Sequence, residues 1–146
     1  MDSETEIGDK VNESLGDRMK KYEHQLELKV PVESPFIVRL DGNCFSKFTR
    51  PLKKPFDYRF VCAMVSTMND MIDKFHPKTG YCHSDEITLI FDSPINKDED
   101  KLNQSTHIFD GRVQKICSVF AGFCSVRFNF WIKEYMTKNI SNTIDT

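Results

Sequence analysis

Between Pro55 and His76 the chain repeats apolar residues at intervals of three and four: Phe56, Phe60, Ala63, Met64, Met68, Met71, Ile72 and Phe75. The spacing predicts one long amphipathic helix, with Pro55 at its first position and His76-Pro77 as its stop. A helix with one apolar face has to lay that face on a neighbouring layer. The flanking sequence supplies one, in short β-branched and aromatic runs at 35–41, 79–83 and 87–91. The first opens at Pro35 and stops at Asp41-Gly42, which reads as a buried strand ending in a turn. The other two flank Ser84-Asp85-Glu86 and read as a hairpin with an acidic tip.

Two further helical patterns complete the layout. Leu15, Met19, Tyr22 and Leu26 mark a first helix ending near Pro31, and Val113, Ile116, Cys117, Phe120, Phe123, Cys124, Phe128 and Trp131 mark a long last one. Gly122 inside the last helix costs about 1 kcal/mol relative to alanine unless close packing requires it. The order helix, strand, helix, hairpin, helix predicts an α+β fold: an antiparallel sheet of split βαβ (ferredoxin-like) type with helices on one face. It also sets Asp41 and the Asp85-Glu86 tip on adjacent strands. Residues 1–14 read as a disordered acidic tail and 15–135 as one domain with a mobile insert at 92–110. Residues 136–146 read as a polar tail.

Composition narrows the possible classes. With 20 Lys and Arg against 22 Asp and Glu, the net charge of −2 does not mark a general nucleic-acid binder, so any RNA surface is local or lies elsewhere. The N-terminus lacks the basic and apolar regions of a signal peptide, and no apolar run reaches membrane-spanning length. A soluble, cytoplasmic protein with no membrane partner is the expectation. Cys44, Cys62, Cys82, Cys117 and Cys124 form no CxxC pair, which predicts reduced structural thiols rather than zinc or redox chemistry. The methionines at helical spacing read as core filling, and so do Phe120, Phe123, Phe128 and Trp131, in preference to base stacking.

Three acids at strand ends are the candidate chemistry. Two magnesium ions about 4 Å apart can stabilise both oxygens of a phosphoryl displacement, held by carboxylates on rigid strands. Asp41 and Asp85, with Glu86 beside them, form a sufficient set. Gly42 permits close backbone approach, so its carbonyl can face a metal and the following amides a triphosphate. Taken alone, Asp-Gly is equally a turn dipeptide and Ser-Asp-Glu a solvated tip.

The run Phe36-Ile-Val-Arg-Leu-Asp-Gly-Asn-Cys-Phe-Ser-Lys-Phe48 resembles the strand and loop of the tRNA-histidine guanylyltransferase family. Lys54-Pro55-Phe56-Asp57-Tyr58-Arg59 is similar to its Lys-Pro-x-Asp-x-Arg segment, and Tyr81-Cys-His-Ser-Asp-Glu86 to its Tyr-x-x-Ser-Asp-Glu hairpin. Gly111-Arg-Val-Gln-Lys-Ile-Cys-Ser118 most resembles the branch of 3′-to-5′ polymerases that repair tRNA 5′ ends. The resemblance covers roughly residues 16 to 131.

It implies a palm-like catalytic domain that adds nucleotides to the 5′ end of tRNA by two-metal catalysis, with two Mg2+ ions and GTP or ATP as substrate. Asp41, Gly42 and Asp85 would hold metal, with Glu86 as the adjoining catalytic acid. Asn43, Cys44, Phe45, Ser46 and Ser84 would contact the triphosphate. Lys54, Asp57, Arg112 and Lys115 are candidates for phosphate contacts. Expected partners are tRNA and nucleoside triphosphates, within a tetramer or together with a missing C-terminal half. Asn43 and Ser46 stand where the family usually has arginine and histidine, Phe56 replaces a polar residue and His83 a glutamine. Two alternatives remain open at this point: a truncated or split-gene palm subunit that binds nucleotide without independent catalysis, and a cyclase-type palm acting on free nucleotides.

Overall fold

The computed structural model describes residues 13–25, 27–94 and 106–137. The N-terminal tail to residue 12, most of the 92–110 insert and the tail from 138 lie outside the described residues.

Among the described residues, three strands form one antiparallel sheet in the order β1-β3-β2: β1 Phe36–Asp41, β2 Thr79–His83 and β3 Glu86–Phe91. β1 pairs with β3 in a register that sets Val38 against Leu89 and Asp41 against Glu86. The run at 35–41 is buried on one face only. Val38 is inside, whereas Ile37, Arg39 and Asp41 stand on an open face. The central strand carries the core through Ile87, Leu89 and Phe91.

Among the described residues, four helices accompany the sheet: α1 Leu15–His24, α2 Phe45–Phe48, α3 Tyr58–Phe75 and α4 Val113–Thr137. α3 and α4 pack together and cover one sheet face. α3 buries Phe60, Ala63, Met64, Thr67, Met71 and Phe75, the face that its sequence period marks out. It starts at Tyr58 rather than Pro55, because Asp57 caps it: the carboxylate accepts the Arg59 N–H at 3.0 Å. Its C-terminus is His76 in left-handed geometry, directly before Pro77.

α4 buries Ile116, Phe120, Phe128 and Ile132, and Asp70 of α3 clamps it. One Asp70 oxygen accepts the Arg127 Nε–H at 2.6 Å and the Trp131 indole N–H at 2.5 Å. The helix runs through Thr137. Gly122 is exposed, with open space where a Cβ would stand. Close packing therefore does not require it, and Gly122→Ala is expected to stabilise the fold by about 1 kcal/mol in urea unfolding.

α1 is shorter than its sequence pattern. Ser14 caps it, accepting from Asp17 N–H at 3.1 Å. It ends at His24 because the following backbone pairs elsewhere: Val113 N–H donates to Leu28 O, and Val30 N–H to Gly111 O, each at 2.9 Å. A 3-10 turn, Ile108–Gly111, precedes α4, and His107 before it is buried, so the far end of the insert is built into the fold. Gly111 has φ of 66° and its Cβ position lies 2.9 Å from Val30 O, which excludes a side chain. All five cysteines are free, and burial pushes the Cys124 thiol up to about 11. No helix among the described residues is long and apolar enough to cross a membrane.

Candidate active site

Asp41 closes β1 opposite Glu86. One residue further on, Gly42 N–H donates to the Asp85 carbonyl at 3.1 Å, which ties the first loop to the hairpin tip. A Cβ built on Gly42 would lie 2.9 Å from Asp85 Oδ2 and 2.4 Å from the Phe45 ring. Any side chain at 42 therefore meets a carboxylate and an aromatic ring at once. Ser84, at φ 53°, turns the tip, and its hydroxyl donates to Asp85 Oδ1 at 2.9 Å.

Phe45 is held by an aromatic block that the sequence does not display as a group. Its ring lies 5.2 Å from Phe128 and 5.4 Å from Phe48, and Phe60 stands 6.0 Å from Phe128. These rings join α2, α3 and α4 behind the Asp41-Gly42 loop and pin it to the core. In front of them opens a cavity of about 380 Å³ that Asp41, Gly42, Asn43 and Asp85 line, with Ser125 and Asn129 of α4 on its wall. Phe45 also lines it, whereas Cys44 and Ser46 do not.

Glu86 takes a different position from the two aspartates. Its carboxylate pairs with Arg39, two residues before Asp41 on the same strand face, and it does not line the cavity. Arg39 thus offsets part of the charge that three neighbouring acids bring together. Sequence reasoning quoted Arg39 in its motif but gave it no role. The signal was its alternation with Asp41 along the strand.

Hard oxygens are the only donors that Asp41, Asp85 and the Gly42 carbonyl offer, which is the donor type magnesium takes. Among the described residues, no group of three His, Cys, Asp and Glu side chains gathers around one point. Two carboxylates suit an ion that completes its shell with substrate phosphates and water.

A second cavity of about 550 Å³ lies on the other side of the tip, lined by Lys53, Lys54, Phe60, Val61 and Ser84 among others. Lys54 thus shares a cavity with Ser84, the residue before Asp85, while its ammonium donates to Thr49 O at 3.4 Å. Asp57 is not available to a ligand, because its two oxygens already accept the N–H groups of Lys53 and Arg59 and the Arg59 guanidinium at 2.8–3.1 Å. Those bonds hold its pKa well below the usual carboxylate range, with the Arg59 side chain the largest cause. A lowered native pKa contributes stability that is complete above about pH 5 and fades as pH falls. Asp57→Asn is expected to unfold about 1 kcal/mol more easily at pH 7, with the gap closing in acid. Urea titrations at pH 7 and pH 3.5 check this.

Arg112 and Lys115 line a separate cavity with Glu23, Glu27, Leu28 and Gln114. Along α4, Lys115 is ten residues before Ser125, about 15 Å at 1.5 Å per residue. The structure does not bring these two cations to the acids.

A family model described as tRNAHis guanylyltransferase matches residues 16–145. The chain belongs to that family. An uncharacterized protein of Acanthamoeba polyphaga mimivirus is 47% identical over 138 residues, spanning 94% of this chain and 47% of that protein. The tRNA(His) guanylyltransferase of Debaryomyces hansenii is 30% identical over 108 residues, 71% of this chain and 37% of that protein. Two solved bacterial tRNA(His) guanylyltransferase-like structures are similar to it. One, in complex with GTP, has a TM-score of 0.71 and 34% identity over 84% of this chain and 54% of that one. The other, in complex with ATP, has a TM-score of 0.70 and 35% identity over 83% and 50%. The fold is therefore the family's palm-like one, and family members are nucleotidyltransferases. The chain spans about half the length of the relatives it matches.

Proposed function

We propose that this chain carries the nucleotide-transfer centre of an enzyme that adds nucleotides to the 5′ end of tRNA in the 3′-to-5′ direction. The supporting observation is the convergence of Asp41, Gly42 and Asp85 on one cavity, in a family whose solved relatives are complexes with GTP and ATP. Asp41, Asp85 and the Gly42 carbonyl would hold Mg2+, which when bound offsets charge on the triphosphate and on the attacking and leaving oxygens. Asn43 and Phe45 line the nucleotide's cavity, and Ser84 orients Asp85. Lys54 meets phosphate from the second cavity. Glu86, held by Arg39, keeps the strand ends together rather than binding the ion directly. With tRNA as substrate, the place of work is the cytoplasm, and the enzyme works as a homo-oligomer.

The alternative reading is a palm subunit that binds nucleotide without independent transfer. Both readings require magnesium-dependent nucleotide binding, and calorimetric titration of GTP with and without Mg2+ tests it. Binding that tightens at least tenfold with Mg2+ supports the site; GTP binding that ignores Mg2+ and survives Asp41→Ala contradicts it. Gly42→Ala forces Asp85 and Phe45 aside, and a displacement of ångström order costs about 10²-fold in transfer rate. A single-turnover rate for this variant checks the claim.

A further inference from the structure

The sheet face opposite the helices carries an aromatic pair that nucleotide transfer leaves unused. Along β2, Cys82 packs toward the core, and Thr79, Tyr81 and His83 alternate onto the other, exposed face. Tyr81 is 64% exposed. Its ring and that of His83 are parallel within 4°, with centroids 6.4 Å apart.

The registers locate this pair relative to the acids. His83 stands opposite Glu86, which stands opposite Asp41; Tyr81 stands opposite Thr88, which stands opposite Arg39. Two rows therefore run across the sheet from the aromatic pair to β1, about 10 Å away at the usual strand spacing. No helix among the described residues covers this face, where Ile37 is 63% exposed. At the edge of β2, Lys53 and Lys54 line a cavity that His83 and Ser84 border from the sheet and Phe60 and Met64 from α3.

Exposed, parallel rings on a sheet face, with lysines in the cavity at its edge, match what single-stranded RNA offers, which is unpaired π-faces joined by phosphates. We propose that Tyr81 and His83 are a stacking platform for unpaired bases of the RNA strand whose 5′ end reaches Asp41 and Asp85, with Lys53 taking an adjacent phosphate. The inference rests on the transfer centre proposed above and adds to it the residues that would seat the substrate strand. It also makes the RNA surface a local one, in keeping with a net charge of −2.

The test uses the full chain and a short single-stranded oligoribonucleotide with a 2-aminopurine base near its 5′ end, read by fluorescence quenching and anisotropy. Stacking predicts quenched 2-aminopurine, and affinity that falls about tenfold in Tyr81→Leu and further when His83→Leu is added. Tyr81→Phe, which keeps the ring, stays within about twofold of wild type. GTP–Mg2+ titration of the same proteins stays unchanged, so loss of RNA binding is separable from failure of the nucleotide site. Tyr81 is exposed, and superimposable thermal melts confirm the folds.

Equal RNA affinity in wild type and Tyr81→Leu overturns the platform while leaving the transfer centre standing. Equal losses in Tyr81→Phe and Tyr81→Leu overturn stacking in favour of a hydroxyl contact. No oligonucleotide binding by the wild type, with normal GTP binding, overturns it and marks the face as a protein contact instead.

Discussion

Asp85→Ala is expected to reduce nucleotide transfer at least about 10³-fold, the largest effect of any single substitution in this chain. Charge stabilisation by a metal-bearing carboxylate is worth several kcal/mol in the transition state, and each 1.36 kcal/mol is tenfold in rate. The fold should barely notice. The Asp85 side chain accepts one hydrogen bond, from the neighbouring Ser84 hydroxyl, and sits at a hairpin tip. Its replacement is therefore a surface-type change within about 0.5 kcal/mol. Single-turnover incorporation beside a thermal melt separates the two. A variant that melts like the wild type and transfers within tenfold of it removes Asp85 from the chemistry. Glu86→Gln should cost much less, because Glu86 faces Arg39 rather than the cavity.

Phe120→Ala is the corresponding change for stability. Phe120 is fully buried, stacks on Phe75 with centroids 3.9 Å apart, and meets Phe91 edge-on at 5.6 Å. It also meets Phe109 of the 3-10 turn at 6.5 Å. One ring thus joins α4, α3, the central strand and the turn that carries Gly111. Removing it deletes the transfer energy and leaves a cavity bounded by four elements that cannot all collapse together. A loss of about 3–5 kcal/mol is expected, a large share of the 5–15 kcal/mol typical of a domain. The urea midpoint should drop with the slope unchanged. A shift below about 1 kcal/mol would mean that the α3–α4 junction repacks freely.

Much of this was legible because periodicity and punctuation agree. α3 shows its buried face at intervals of three and four, and His76-Pro77 ends it where expected. The two strands of the hairpin alternate around Ser84-Asp85, and the motif resemblance led to the family. Three features were not legible. Asp57 looks like a motif carboxylate in sequence, yet its four accepted bonds make it the cap of α3. The apolar period of α1 runs past its end, since the bonds that end it come from Gly111 and Val113, some eighty residues away. Helical period brings Arg112 and Lys115 near the start of α4, but only three dimensions show that the acids face its middle. The aromatic block of Phe45, Phe48, Phe60 and Phe128 is likewise a meeting of three helices that no local window contains.

The most direct test of the proposed chemistry is incorporation of labelled nucleotide into a 5′-truncated, 5′-triphosphorylated tRNA, with Mg2+ and with the ion chelated. The transfer centre at Asp41 and Asp85 predicts labelled product that needs Mg2+ and disappears in Asp85→Ala. Product that persists with Mg2+ chelated, or in Asp85→Ala, would contradict it.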